Sequence, residues 1–349
     1  MQDFIPQISN SEDMDNLFNI IYTKKERKPV LKATIIFSRL TPEQLVEFVH
    51  SNDVMSKKYS ISNVKLETNL YRIVIKKQLR KREMIATGLI RRFNSTWVIF
   101  TVCNHYAMEH ILMKLVDETY PEITTLYLNR FQILKILDKI KELKNRSRVL
   151  TSFTIFVKGK GKKSYSGQNV EEELYREVKD NIVWIKNVRF KILLSDNIIL
   201  SDVSISNNGI LKLYYGSFTE FYKTLVKPVL DGSMELSSSY NRVKRYISEK
   251  DKDIILTPCY ITYPKNLDKE SLKNFTSKLS NSYIISITHS VNPYLEISVL
   301  DHREGSSFGL TILGNKVIIC PMLKTTATAI WKLTSKIQKI LGEGEITVM

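Results

Sequence analysis

The sequence has few of the features that mark secreted or membrane proteins. Its 349 residues contain three cysteines, Cys103, Cys259 and Cys320, which lie far apart in apolar, strand-like stretches. Reduced cysteines in such positions behave as small hydrophobic residues, so we expect no disulfide framework. No apolar run approaches the roughly 20 residues of a membrane-spanning helix, and residues 1–16 lack a basic segment followed by an apolar one. We therefore expect a cytoplasmic protein without membrane insertion.

Catalytic signatures are scarce as well. The sequence contains no H-E-x-x-H, G-x-G-x-x-G, Walker A or helicase pattern. A metal-dependent nuclease needs spaced carboxylates with a lysine, and Glu296 and Asp301 flank a predicted strand without that pattern. Cys103, His105 and His110 are metal-ligand types, but a zinc site needs three or four ligands and no partner pair accompanies them. We expect no catalytic residues, no metal site and no cofactor; a divergent metal-dependent nuclease is the alternative.

What the chain has in excess is positive charge. The 52 lysines and arginines outnumber the 36 aspartates and glutamates, which gives a net charge of +16 and a pI of about 9.5. Such an excess is typical of proteins that bind polyanions, so we expect a nucleic acid, DNA or RNA, as the partner. A membrane surface or an acidic protein is the alternative. With 43% hydrophobic and 10% aromatic residues, the chain is also able to build packed cores.

Two stretches carry nearly all of this excess. Residues 72–92 contain eight basic residues against one glutamate, and residues 139–163 contain nine against one. The first is typical of a hairpin whose turn reaches backbone phosphates, and the second includes a glycine-lysine loop able to close on a phosphate chain. A solvated face that gives solubility is the alternative interpretation. We predict nucleic-acid contacts from Arg72, Lys76, Lys77, Arg80, Lys81, Arg82, Arg91, Arg92, Arg146, Arg148, Lys158, Lys160, Lys162 and Lys163.

Hydrophobic periodicity predicts an α+β protein in which antiparallel sheets are backed by helices. From Lys32 the pattern gives a strand, a helix that begins with Thr41, Pro42 and Gln44 in capping-box spacing, three strands and a second helix. A similar order recurs later in the chain. The pattern therefore indicates repeated units of strand, helix, three strands and helix.

On this pattern we divide the chain into five parts. An N-terminal arm spans residues 1–31, and a first α+β unit with a connector helix spans 32–149. The second unit spans 150–230 and the third spans 256–349. Residues 231–255, which are rich in serine and charge, are predicted to be a linker or mobile loop.

Two segments resemble parts of known families. The element order from NVKLETNLYRIVIKK through AMEHILMKLVDETY resembles the helix-grip units of the TATA-binding protein family. That resemblance implies a curved antiparallel sheet backed by helices over most of the chain, and it transfers no functional residue. The segment ISNNGILKLYYGSFTEFYKTLVKPVL is similar to the nucleic-acid-channel regions of proteins that accompany short prokaryotic Argonautes. This similarity implies a partner that helps to hold guide and target strands.

Together these features predict a non-catalytic nucleic-acid-binding protein. We expect an accessory subunit of a prokaryotic nucleoprotein or antiviral defence complex, in which a protein partner such as an Argonaute supplies any catalysis. An interaction subunit that binds an acidic protein is the alternative. Charge reversal between Arg72 and Lys163 is expected to abolish binding, and equivalent changes in the C-terminal third are expected to matter less.

Overall fold

The computed structural model describes Glu12, Asn16 and Phe18, and then residues 30–79, 83–143, 146–180, 183–194, 198–247, 254–291 and 294–348. Over these residues antiparallel sheets pack against helices, which confirms the predicted α+β class. Among the helices described, none is both long and apolar enough to cross a membrane.

The larger sheet contains eleven strands. They are β1 (Leu31–Ser38), β2 (Tyr59–Glu67), β3 (Leu70–Gln78), β4 (Glu83–Phe93), β5 (Thr96–Thr101), β6 (Ile123–Thr125), β7 (Arg146–Val157), β8 (Gly161–Ser166), β9 (Val183–Leu194), β10 (Ile199–Ser206) and β11 (Ile210–Gly216). The order is β2-β3-β4-β5-β1-β11-β10-β9-β7-β8, and β6 pairs with the end of β1. Because β1 pairs antiparallel with both β5 and β11, residues 31–101 and 146–216 share one sheet.

In the part of the chain that the structure describes continuously, six helices accompany this sheet. They are α1 (Pro42–Ser51), α2 (Asp53–Ser56), α3 (His105–Ala107, Met108–Met113 and Lys114–Glu118, with a π-helical middle), α4 (Arg130–Lys141), α5 (Val170–Asp180) and α6 (Phe218–Phe221, Tyr222–Val226 and Lys227–Arg242, again with a π-helical middle). The start of α1 confirms the predicted capping box. Thr41 Oγ1 accepts the Gln44 N–H, and the Gln44 side chain accepts the Thr41 N–H.

The helices cover different faces of the two halves of the sheet. Alternate residues of β1 enter two cores, with Ile36 in one and Ile35 in the other. Helices α1 and α3 pack on the Ile36 face of β2–β5, where Trp97 is buried. Helices α4, α5 and α6 pack on the Ile35 face of β7–β11, where Phe190 is buried. These three helices do not pack on the Ile36 face of β7–β11, where the polar side chains of Lys212 and Arg189 are partly exposed, whereas Lys32 on the adjacent β1 and Ser204 are buried.

The C-terminal region forms a second sheet of six strands with two helices. The strands are β14 (Cys259–Thr262), β15 (Ile284–Val291), β16 (Tyr294–Asp301), β17 (Ser306–Leu313), β18 (Lys316–Pro321) and β19 (Glu345–Val348), in the order β15-β16-β17-β18-β14-β19. The helices are α7 (Lys269–Ser280) and α8 (Ala327–Leu341), and a separate hairpin pairs β12 (Arg245–Ile247) with β13 (Ile254–Leu256). Helix α8 joins the two sheets, because the Trp331 ring lies 4.2 Å from Phe37 of β1 and 5.2 Å from Tyr240 of α6.

The segment predicted as a linker begins inside a helix. Residues 231–242 belong to α6, and Tyr240 is buried with its hydroxyl 3.0 Å from a threonine hydroxyl of α8. Ser233 is buried as well. Its hydroxyl donates a hydrogen bond to the Val229 carbonyl one turn earlier, so this polar group is satisfied within the helix. The polar composition of residues 231–255 predicted a linker or mobile loop. For residues 231–242 that prediction is wrong, because they are helical.

One residue of the predicted N-terminal arm is a core residue. Phe18 is fully buried, and its ring lies 5.0 Å from Phe218 of α6 and 6.4 Å from Phe100 of β5. The polar composition of residues 1–31 does not reveal this contact, because it depends on one aromatic side chain that buries a large apolar area. Most of the predicted arm lies outside the described residues.

Candidate nucleic-acid interface

The first predicted basic stretch divides between the two faces of the larger sheet. Arg72 and Lys76 lie on one face of β3, and Arg91 lies on the same face of β4. Lys77 and Arg92 lie on the opposite face, because successive strand residues alternate. Three further members of the prediction are outside the described residues: Arg80, Lys81 and Arg82. The described members therefore do not form one cluster.

Several of these side chains contact other parts of the protein. Lys77 Nζ donates to the His110 carbonyl of α3 at 2.8 Å. Lys76 Nζ lies 3.5 Å from a carboxylate oxygen of Glu83. The Arg91 guanidinium lies 5.9 and 5.6 Å from the centroids of two aromatic rings, on β4 and α6. Because these cations already contact groups of the protein, less of their charge is available to bind an external anion.

In the second stretch, three of the predicted contact residues bind carboxylates of the helices. Arg146 donates to both carboxylate oxygens of Glu220 on α6, at 2.8 to 3.1 Å. Arg148 is only 5% exposed and donates to Glu171 of α5 at 3.0 Å. Lys163 Nζ lies 2.8 Å from a second glutamate of α5. These three side chains hold α5 and α6 against the sheet, so we assign them to the fold rather than to a ligand.

The other predicted contact residues of the second stretch, Lys158, Lys160 and Lys162, lie at the turn between β7 and β8. Lys160 and Lys162 are exposed, whereas Lys158 Nζ donates to the Ser271 hydroxyl of α7 at 2.7 Å. This turn is distant from the first stretch, since β3 and β7 are seven strand spacings apart in the sheet. At about 4.8 Å per spacing the separation is roughly 30 Å. The two stretches thus do not form one compact site.

A row of polar residues crosses the middle of the sheet on the face that α4, α5 and α6 leave uncovered. Lys32 of β1 lies opposite Lys212 of β11, which lies opposite Ser204 of β10. Ser204 lies opposite Arg189 of β9, which lies opposite Ser152 of β7. Directly paired residues share a face, so the row spans five neighbouring strands. We call this row the polar face.

The cations of the polar face differ in how they are compensated. Arg189 donates to both carboxylate oxygens of Asp202, at 2.9 and 2.7 Å, and lies 4.1 Å from the centre of the Tyr214 ring. Lys32 donates to a backbone carbonyl of the segment after β5. Burial lowers the pKa of Lys32, and the charge of Lys212 lowers that pKa further. Like charges on directly opposite strand residues repel, and a bound anion would relieve that repulsion.

A cavity of about 430 Å³ adjoins the polar face. Its walls come from α3, β1, β9, β11, the turn between β10 and β11, and α8. Four lysines line it, namely Lys32, Lys186, Lys212 and Lys339. We call the cavity defined by these four lysines the lysine groove. It brings together cations that are up to 307 positions apart in the sequence.

Little negative charge balances the lysine groove. Among its lining residues that the structure describes, the one carboxylate is Glu109, whose Oε1 lies 3.4 Å from His105 Nε2. Desolvation lowers the pKa of Lys339, and the neighbouring charge of Lys186 lowers that pKa further, whereas the charge of Asp117 raises it. The groove therefore holds cations that repel one another, which is the electrostatic condition for binding an anion.

The turn between β10 and β11 shapes one wall of the groove. Gly209 has a φ of +71°, and a Cβ on this residue would lie 2.8 Å from the Leu126 Cβ. Glycine is therefore required both by the backbone conformation and by the close approach of the segment after β6. The Asn207 carbonyl accepts the Leu128 N–H at 2.8 Å, which fixes that segment beside the turn.

Sequence reasoning missed the groove because its lysines are dispersed. They come from β1, β9, β11 and α8, and no short window of the sequence contains more than one of the four. One signal was present, since Lys332, Lys336 and Lys339 have spacings of four and three. Residues at these spacings share one face of a helix, so they indicate a basic stripe on α8.

The metal-ligand candidates do not converge. Cys103 is buried, the His105 imidazole faces Glu109, and the His110 ring lies 4.2 Å from the Tyr106 ring. Across the part of the chain that the structure describes, no group of three or more histidine, cysteine, aspartate or glutamate side chains is placed to hold a metal ion.

A further pattern, G-x-S-x-G, occurs at residues 305–309 and resembles the nucleophile motif of some hydrolases. That motif requires a strand, a sharp turn and a helix, whereas Ser307 lies in β17 of the β16–β17 hairpin. Its hydroxyl accepts the Leu323 N–H at 3.0 Å. The preceding Asp301 accepts the Tyr120 hydroxyl at 2.5 Å. The geometry therefore assigns these polar groups to the fold.

Neither a protein-family model nor a curated protein matches this chain. The resemblances to TATA-binding proteins and to partners of short Argonautes therefore stay predictions.

Proposed function

We propose that the protein binds nucleic acid without catalysing a reaction on it, and that the lysine groove with the adjoining polar face is its binding surface. The observation that carries this proposal is the convergence of Lys32, Lys186, Lys212 and Lys339 on one cavity whose lining includes a single described carboxylate. Clustered lysines around a groove attract a polyanion and release its counterions on binding.

The chemistry of the groove favours contacts to the sugar-phosphate backbone. Lysine ammonium groups are compact charges that pair with phosphates without reading base sequence. The lining also offers amide and hydroxyl groups, from Ser206, Asn207 and Asn208. The one tyrosine in the lining, Tyr127, is 7% exposed, so it does not offer a free ring for base stacking. We therefore expect binding with little sequence preference, and a partner protein would supply any catalysis.

A charge-reversal experiment tests the proposal. The double variant Lys186→Glu, Lys212→Glu is compared with Lys273→Glu, Lys278→Glu, which makes the same charge change on the exposed surface of α7. Fluorescence anisotropy with labelled single- and double-stranded DNA and RNA at about 50 mM salt measures the affinities. We expect the groove variant to bind at least about tenfold more weakly, and the α7 variant to stay within about threefold of the unaltered protein.

The design separates binding from folding. Lys212→Glu places a carboxylate opposite Lys32, which replaces a repulsive pair by an attractive one, so thermal unfolding should not reveal a loss of stability at that position. Undetectable binding by the unaltered protein at about 50 mM salt would refute the proposal. Equal losses in the two double variants would also refute the groove as the site. An acidic protein would be the ligand instead of nucleic acid only if it co-purifies after nuclease treatment. That outcome, together with its loss in the groove variant, would identify the acidic protein as the ligand.

The proposed site and the local density of charge in the sequence predict different cations to contribute most to nucleic-acid affinity. Lys160 and Lys162 belong to the second basic stretch and are exposed, whereas Lys339 lies in the C-terminal third and in the groove. We expect Lys160→Glu, Lys162→Glu to weaken binding less than Lys186→Glu, Lys339→Glu. The reverse ranking would favour the glycine-lysine turn as the main contact.

A further inference from the structure

A second cavity, of about 290 Å³, continues from the lysine groove. The two cavities share Thr125, Tyr127 and Lys339 in their linings. The walls of the second cavity come from the end of α3, from β6, from α8 and from the turn between β16 and β17. We call it the end cavity, and we define it by the lining residues Tyr283, Arg303, Lys332 and Lys336.

The end cavity concentrates positive charge. Its lining contains Arg303, Lys332, Lys336 and Lys339, and the one carboxylate among the described lining residues is Asp117. Burial raises the pKa of Asp117, which means that the site disfavours the charged form of this group. The cations thus outnumber the carboxylate, and the surplus suits a ligand with more than one negative charge.

Two of these cations are held in place by the protein. The Arg303 guanidinium donates to the carbonyls of Asp117, Glu118 and Tyr120, at 3.4, 3.2 and 2.6 Å. Lys332 Nζ lies 3.2 Å from the centre of the Tyr120 ring. These contacts fix the positions of the two cations with carbonyl and aromatic partners, which carry no net charge.

The charges that face Lys332 come from several elements. Asp301 and Glu304, near the β16–β17 turn, and Asp117 of α3 attract the ammonium group, whereas Arg303 repels it. Two of these carboxylates have other partners, since Asp301 accepts the Tyr120 hydroxyl and Glu304 pairs with an arginine that follows β1. Desolvation is the largest influence and lowers the pKa of Lys332 to about 8. An anion in the cavity would compensate this desolvated cation.

Tyr283 also lines the end cavity, and its hydroxyl oxygen is buried. Tyr283 is 4% exposed, and among the described residues its hydroxyl oxygen has no hydrogen-bond partner. A buried hydroxyl without a partner is costly, so such a group indicates a missing ligand or water. A phosphate oxygen would accept this hydrogen bond.

We propose that the end cavity binds the terminal phosphate of a nucleic-acid strand that lies in the lysine groove. The inference rests on the proposed function, because the groove must deliver the strand. A phosphomonoester carries about −1.5 to −2 charges at neutral pH, whereas an internal phosphodiester carries about −1. The surplus of cations and the unpartnered hydroxyl therefore select a strand end over the strand interior.

The test compares strand ends on the full chain. Oligonucleotides of one sequence carry a 5′-phosphate, a 3′-phosphate or hydroxyls at both ends, and anisotropy measures each affinity at one ionic strength. We expect one phosphorylated end to bind about tenfold more tightly than the hydroxyl ends. In Tyr283→Phe and Lys332→Met this preference should fall to about twofold or less, while Lys273→Met on α7 should keep it. Equal affinity for all three oligonucleotides would overturn the inference.

Failure of the inference is distinguishable from failure of the proposed function. If no oligonucleotide binds, the proposed function fails, and calorimetry with inorganic phosphate then tests the cavity alone. Saturable phosphate binding that Tyr283→Phe and Lys332→Met both abolish would assign the cavity to free phosphate. Absence of phosphate binding by the unaltered protein would overturn the cavity as an anion site. Thermal unfolding of both variants shows whether a lost signal reflects lost structure.

Discussion

At the scale of single residues, Glu343 is a carboxyl group buried where the C-terminal segment meets the start of α4. It is 1% exposed, and its two oxygens accept hydrogen bonds from the Tyr127 hydroxyl and the Arg130 backbone N–H, both at 2.7 Å. Burial outweighs these hydrogen bonds and raises the pKa of Glu343 to about 7. The folded protein therefore keeps a proton that the unfolded chain releases at lower pH.

This difference makes stability depend on pH. A carboxyl group whose pKa is higher in the folded state stabilises that state most at low pH, and this contribution is lost as pH rises through about 7. We expect the free energy of unfolding to fall between pH 5 and pH 8 by up to about 3 kcal/mol from Glu343, since one pKa unit corresponds to about 1.4 kcal/mol. Urea titrations at the two pH values measure the change.

Glu343→Gln is the matched variant for this prediction. The amide keeps the shape of the side chain and does not titrate in this range; its oxygen can accept the Arg130 N–H, and its NH2 group can donate to the Tyr127 hydroxyl oxygen. Its free energy of unfolding should therefore change less between pH 5 and pH 8 than that of the unaltered protein. The same pH dependence in both proteins would show that Glu343 does not have a raised pKa.

At the scale of elements, the sequence correctly predicted the helices whose ends and buried faces depend on residues close together in the chain. The capping box at Thr41 and the helical periodicity from Ile133 to Ile140 gave α1 and α4, because a helix end and an amphipathic face depend on neighbouring residues. Residues 231–242 were predicted wrongly for the opposite reason. Serine and charge favour a loop in isolation, and here tertiary packing of Tyr240 holds the helix.

The packing of Phe18 against the larger sheet gives a prediction at this scale. Phe18 packs between Phe100 and Phe218, in contact with both β5 and α6. We expect Phe18→Ala to lower the free energy of unfolding by about 3 to 5 kcal/mol, as the loss of a buried phenylalanine does in protein cores. Chemical denaturation measures the change.

Phe131→Ala on α4 is the control, because that ring is 36% exposed and its removal leaves a smaller cavity. A similar small loss in the two variants would show that Phe18 is not part of the core.

At the scale of the whole molecule, the candidate site follows from strand pairing that no local pattern contains. Lys32 and Lys212 become neighbours because β1 pairs with β11, and this pairing joins residues 180 positions apart in the sequence. Sequence reasoning found the net charge but weighted cations by their local density. Arg146 and Arg148 belong to a dense stretch and bind carboxylates of the helices, whereas Lys186 and Lys339 lie 153 positions apart in the sequence and meet in the groove.

The number of groove lysines sets the salt dependence of binding. Each phosphate neutralised lowers the slope of log affinity against log salt concentration by about 0.9 on duplex DNA. The four lysines of the groove should therefore contribute a slope of about −3.6. Neutral replacements at two of them, Lys186→Gln and Lys212→Gln, should make the slope less steep by about 1.8, whereas Lys273→Gln, Lys278→Gln should leave it unchanged. Anisotropy titrations between about 50 and 200 mM salt measure the slopes, and an unchanged slope in the groove variant would place the phosphate contacts elsewhere on the protein.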